Sequence, residues 1–209
     1  MIHLQGVYRS ETTYLFVLDH DANSPITKIH HLEVKNNTYE EIGTYEVDGG
    51  FHGIAANVEG NNSAQSTCEF YLKTASGGLY KCKIKLNSKE IECWDKNGKQ
   101  KTRKICNLPF EIAGSTAQGI AYDRGILYMA FSETNAQKRG YGNTIIEYNM
   151  NNKDVVARDV TIKDTSKTGY FEIESCTIFD NKLYFNTNSD TSKTGKKYVN
   201  YDGIYKINK

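Results

Sequence analysis

Four times along the chain a polar residue is followed at once by Gly or Ser and then by a strand-like run. The copies are LQGVYRS from residue 4, FHGIAAN from 51, AQGIAYD from 117 and IESCTIF from 173. A repeat constrains folding more than any composition does, because each copy must bury its apolar face against a neighbouring copy. Each start leads into a second run (YLFVLDH, CEFYLKT, ILYMAFS, KLYFNTN) and then a third (KIHHLEV, GLYKCKI, NTIIEYN, DGIYKIN). Three units continue into a fourth run, TYEEIGTYEV, EIECWDKN and DVVARDV, and the last unit does not.

These runs are too short for helices and alternate as strands do. Fifteen Tyr, eight Phe and 17 Gly against two Pro suit many short pleated segments joined by turns. The polar starts at Gln5, His52, Gln118 and Glu174 stand 47, 66 and 56 residues apart. Units of this size with four antiparallel strands are blades of a β-propeller, whereas a sandwich or jelly roll does not require the recurring start. The expectation is one all-β domain over 1–209, a propeller of the four- or five-bladed type with four recognisable blades near 3–50, 51–115, 116–170 and 171–209. Gly or Ser after the polar residue fits a first strand crowded near the axis. KTRKICNLPFEI, in the longest unit, reads either as a further strand or as a connecting arm. The missing fourth strand means either that the ring closes without it or that sequence lies upstream.

Charge removes several functions. Lys plus Arg total 26 against 25 Asp plus Glu, too balanced for a phosphate-backbone or anionic-membrane partner. No apolar run reaches the roughly 20 residues of a membrane helix, and MIHLQGVYRS has neither the basic start nor the apolar core of a secretory signal. The five cysteines, 68, 82, 93, 106 and 176, contain no CxxC and no Cys/His metal spacing. A hairpin turning on Asn87-Ser88 sets Cys82 across from Cys93, yet cross-strand disulfides need restrictive geometry, so reduced buried thiols are expected.

FHGIAAN with its tyrosine-rich strand pair, AQGIAYDRGILYMAFSE, and FEIESCTIFDNKLYFNTNSDTSKTGKKYVNYDGIYKINK resemble the helveticin J family, large heat-labile bacteriocins and bacteriocin-like proteins of lactobacilli and relatives. The resemblance covers most of residues 50–209 and is strongest over 117–209. It implies a propeller-like protein that kills related bacteria and is secreted, in some members without an obvious leader. It supplies no catalytic residues, and family members tend to carry more chain before the first repeat recognised here.

In a propeller Gln5, His52, Gln118 and Glu174 occupy equivalent positions and would gather at one channel mouth, as a ligand site requires. The plainer alternative is that they bond channel water and neighbouring backbone. No cofactor and no metal are expected, since one or two carboxylates make a poor Ca²⁺ site. A glycosidase would draw two carboxylates from Asp19, Asp123, Glu172 and Glu174. His30 and His31 point to opposite faces of one strand, one packed and one toward solvent. Loop residues Arg139, Gly140, Tyr141 and Asn143, and Tyr198, Asn200, Tyr201 and Asp202, offer rings and amides for a sugar. No GxSxG, HExxH or phosphate loop occurs. The expected function is an antibacterial secreted protein that recognises a cell-envelope glycan or surface component of target bacteria. The rivals are a glycan-cleaving propeller and a non-killing carbohydrate-binding module.

Overall fold

A computed structural model describes residues 2–9, 13–21, 24–57, 67–74, 78–85, 90–92, 104–107, 115–133, 143–160, 172–179, 181–188 and 203–207. Its strands fall into four sheets, each built from consecutive antiparallel segments. Blade 1 is β1 (Ile2–Arg9), β2 (Thr13–His20), β3 (Ile26–Lys35) and β4 (Thr38–Asp48). Blade 2 is β5 (Phe51–Ala56), β6 (Thr67–Thr74), β7 (Gly78–Lys85), β8 (Glu90–Ile91) and β9 (Lys104–Asn107). Blade 3 is β10 (Ser115–Asp123), β11 (Ile126–Glu133), β12 (Thr144–Asn149) and β13 (Val155–Asp159). Blade 4 is β14 (Glu172–Phe179), β15 (Lys182–Asn188) and β16 (Gly203–Lys206), with no fourth strand among the described residues.

The segment KTRKICNLPFEI therefore contributes a strand. β9 pairs with β7 through Leu79↔Cys106, while β8 pairs with the other end of β7 through Ile84↔Ile91. Two short strands thus share the place that one fourth strand fills in blades 1 and 3.

Turn chemistry sets the hairpins. Asn36 and Asn37 both take positive φ, 50° and 61°, so β3 and β4 join through a tight two-residue turn whose twist matches the strands. Arg124 and Gly125 do the same between β10 and β11, with φ of 43° and 79°.

Burial differs among the strands. β5 is almost wholly buried, whereas residues 151–158, leading into and along β13, are exposed and Ile204 on β16 is 77% exposed. Alternation holds on the outer strands: Tyr45 and Val47 of β4 face inward while Thr44, Glu46 and Asp48 face out.

The chain divides into two compact units. The first comprises Met1–Phe110 with Ala121–Arg124, and the second Glu111–Ile120 with Gly125–Lys209. In the first, Phe16, Leu18, Ile29, Val47, Phe51, Ile54, Phe70, Leu72 and Ile84 form one dry cluster between blades 1 and 2. Phe16 is central to it, stacking on His31 at 4.4 Å and meeting Phe70 edge-on at 4.6 Å. The second unit buries Leu127, Met129, Ile145, Tyr148, Ile173, Cys176 and Leu183. Its Cys176 thiol points at the Tyr128 carbonyl, 3.6 Å away.

Cys68 and Cys176 are buried and not disulfide-bonded, as expected. Cys82 departs from that expectation: it is disulfide-bonded. The β7–β8 register keeps the pairing sum of the predicted hairpin through Ile84↔Ile91.

Candidate functional site

Each recurring polar residue lies on the first strand of its blade, and in three blades the ladder register places it in a β-bulge. In β1 the pairs Leu4↔Val17 and Val7↔Leu15 leave Gln5 and Gly6 opposite Phe16 alone. In β5, Phe51↔Thr74 is followed by Gly53↔Lys73, so His52 is the extra residue. In β14, Ile173↔Thr187 is followed by Ser175↔Asn186, and Glu174 is extra.

The bulge explains the sequence signature better than crowding near an axis does. Phe51 and Ile54 belong to the same apolar cluster although they are three positions apart, so His52 and Gly53 share the opposite face. Two successive side chains on one face must compete for space against one partner, and Gly or Ser as the second relieves it. His52, Gln118 and Glu174 are all half-buried, as groups lying between core and solvent must be.

Buried hydrogen bonds fix two of these bulges from the preceding blade. The Thr27 hydroxyl, at the start of β3, donates to the Gly49 carbonyl at 2.6 Å and accepts the Phe51 N–H at 3.1 Å. Asn143, just before β12, accepts the Ile173 N–H through Oδ1 at 3.0 Å. Phe51 and Ile173 each immediately precede the extra residue. Asn143 is thus corrected from a sugar-binding loop residue to a buried structural one, only 2% exposed.

Within the first unit β1 packs beside β5, which makes Gln5 and His52 residents of neighbouring first strands. Within the second, the Cys176 thiol lies 4.0 Å from the carbonyl of Gly119, which places Gln118 and Glu174 on adjacent strands as well. The loop candidates Arg139, Gly140, Tyr141, Tyr198, Asn200, Tyr201 and Asp202 lie outside the described residues.

Two of the other carboxylates proposed for glycoside cleavage, Asp19 and Asp123, are engaged elsewhere, and the side chain of Glu172 lies outside the described residues. Asp19 faces His30 Nε2 at 4.0 Å on the second strand, and Asp123 is held by Arg124 at 2.9 Å. Asp123 also lies five residues beyond Gln118 along β10, roughly 16 Å at the rise of an extended strand. Glu174 is the carboxylate that remains at bulge level.

His30 and His31 divide as alternation requires. His30 Nδ1 meets Glu41 at 3.0 Å on the outer face, while His31 is buried in the cluster. Burial outweighs the nearby Glu33 carboxylate and pulls His31 down to about 4, so it is a neutral packing group at neutral pH. Among the described residues no three His, Cys, Asp or Glu side chains group to hold a metal ion, and no helix is long and apolar enough to cross a membrane.

Sequence reasoning missed Lys73. It is 1% exposed, faces the His52 bulge across the strand pair, and its Nζ has no hydrogen-bond partner among the described residues. A signal was present: YLF, YLK, YMA and YFN begin at Tyr14, Tyr71, Tyr128 and Tyr184, spaced 57, 57 and 56 residues. Alignment on these tyrosines brings Lys73 level with Phe16, Ala130 and Asn186, whereas alignment on strand outlines matches it with Asp19.

No family model matches the sequence, and no curated protein matches it. In structure the chain is similar to a GH43 endo-arabinanase from Bacillus licheniformis, with 12% identity and a TM-score of 0.52 over 96% of this chain and 71% of that one. It is also similar to a sucrose-6-phosphate hydrolase from Lactobacillus gasseri, with 11% identity and a TM-score of 0.48 over 88% of this chain and 40% of that one. At such identity the first likeness establishes the fold, a β-propeller, and the fold alone.

Proposed function

We propose that this protein is a carbohydrate-recognising β-propeller whose ligand contacts are the polar residues carried on bulged first strands: Gln5 and His52 in one unit, Gln118 and Glu174 in the other. The observation that carries the reading is the repeated bulge. A residue inserted at the same place in three blades interrupts three ladders, and bulges of this kind re-aim side chains beside binding and catalytic sites. The likeness in fold to an endo-arabinanase supports a saccharide as the ligand class. In its finer form the ligand is a cell-envelope glycan of target bacteria and the activity is antibacterial, as the resemblance to helveticin J implies. The disulfide at Cys82 supports action outside the cytoplasm, where such bonds persist.

Glycan cleavage is the second reading, favoured by Glu174 at bulge level. It requires a second carboxylate within roughly 5 to 9.5 Å of the first. The deciding experiment presents the purified protein to arabinan and to wall polysaccharides from Gram-positive cells, scoring retention, new reducing ends and cell viability. Retention that free sugars compete away, without new reducing ends, is the expected result. Reducing ends that disappear in Glu174→Gln would move the protein to the hydrolases, and failure to retain any polysaccharide would end the carbohydrate reading. Retention with undiminished viability would remove the antibacterial form alone.

A further inference from the structure

The residue opposite each bulge differs in kind. Blade 1 uses Phe16, an anchor of the apolar cluster, and blade 4 uses Asn186. Blade 2 places an ammonium there, Lys73, 1% exposed and without a hydrogen-bond partner among the described residues. A charge so placed is strongly unfavourable unless something neutralises it. Burial pulls the Lys73 ammonium down to about 8, which still leaves it mainly protonated at neutral pH. A methionine would fill the same volume without that penalty.

The surroundings limit what the counter-charge can be. Lys73, Tyr71 and Glu69 share one face of β6, as alternate residues do. The Glu69 carboxylate is already engaged by Lys81 at 2.8 Å, Lys83 at 3.5 Å and the Asn57 amide at 3.1 Å. The Tyr71 ring packs on Tyr122 at 4.6 Å and supplies an apolar wall. Across the strand pair stand His52 and Gly53 on the Lys73 face, one able to donate a ring N–H and the other adding no side chain.

We propose that Lys73 and His52 form a binding site for a singly charged oxyanion, the carboxylate of an acidic sugar or of a small organic acid. One ammonium matches one negative charge, whereas a dianion would leave its second charge buried. The acidic-sugar source rests on the carbohydrate reading above; the site itself does not.

The test follows thermal unfolding and the lysine Cε–Hε resonances of the intact protein in sodium acetate, sodium D-glucuronate, D-glucose and sodium chloride at matched ionic strength. Both carboxylates are expected to raise the Tm and shift one lysine resonance, identified by its loss in Lys73→Met. Glucose and chloride are expected to do neither. Lys73→Met keeps the volume and removes the buried charge, so it should fold with a higher Tm and show no response to carboxylate, and His52→Ala should weaken the response several-fold. A response to acetate alone supports the site and assigns its ligand to small acids. A wild-type protein indifferent to both carboxylates, an equal response to chloride, or an undiminished response in Lys73→Met would overturn the proposal. A carboxylate response in a protein that retains no polysaccharide would leave this site standing while the carbohydrate reading falls.

Discussion

Asn143 Oδ1 accepts the backbone N–H of Ile173 across 3.0 Å, from the residue just before the third strand of one blade to the first strand of the next. Thr27 reaches Phe51 in the same way in the other unit. The equivalence fixes the position from which each bulge departs, because the residue just before it has its N–H tied to a buried side chain rather than to the ladder. Asn143→Leu leaves that donor unpaired and should destabilise by about 1–3 kcal/mol. Thr27→Val, nearly isosteric, should fall in the same range. Urea unfolding of each variant measures this, and a midpoint within error of wild type for both would show that the clamps carry no energy.

The pH dependence of stability follows from His31. Its folded pKa is about 4 against an ordinary value of 6.5, so between those values the unfolded chain holds the extra proton. The contribution is complete above 6.5 and is lost as pH falls toward 4. His31→Phe preserves stacking on Phe16 and should flatten this part of the profile of urea midpoint against pH. A variant profile parallel to wild type between pH 4 and 6.5 would contradict the assignment.

Gly49 has a φ of 122°, and a Cβ there would stand 3.2 Å from the Phe51 ring. Both conditions disfavour any other residue at the turn that leads into β5. Gly49→Ala should lower stability by about 1–3 kcal/mol, read as a drop in Tm. Because Gly49 stands three positions before His52, in the turn that leads into the bulged strand, the variant should also weaken glycan retention.

Cys82 should be recovered in a non-reduced peptide joined to Cys93, the residue that the Ile84↔Ile91 register calls for. Reduction should lower the stability by about 2–4 kcal/mol. Recovery of the Cys82 peptide alkylated under native oxidising conditions would remove the support for an extracytoplasmic location.

His52→Ala and Glu174→Gln should each weaken glycan retention about tenfold, equivalent to about 1.4 kcal/mol, with Tm nearly unchanged. Equal loss of Tm and retention would mark both residues as structural.

The strands and the repeat were legible because short runs rich in aromatic and β-branched residues, such as YLFVLD and ILYMAF, recur along the chain. The bulges were legible only as a polar residue before Gly or Ser, since one inserted residue changes neither composition nor strand length. Lys73 was hidden because the second strands looked equivalent by outline, and only the tyrosine spacing sets their true register. Asn143 read as a loop amide because nothing local shows that Ile173, 30 residues later, needs its oxygen. The disulfide escaped because hairpin arithmetic gives proximity, not oxidation state.

The outer edge of β7 has a consequence for how copies of this chain meet one another. A long last strand offers a continuous row of peptide groups on which another molecule can build a sheet. Blade 2 offers instead a two-residue strand at one end of β7 and a four-residue strand at the other. Neither is long enough to template intermolecular pairing, so the interruption denies a second copy the continuous edge that one long fourth strand would present.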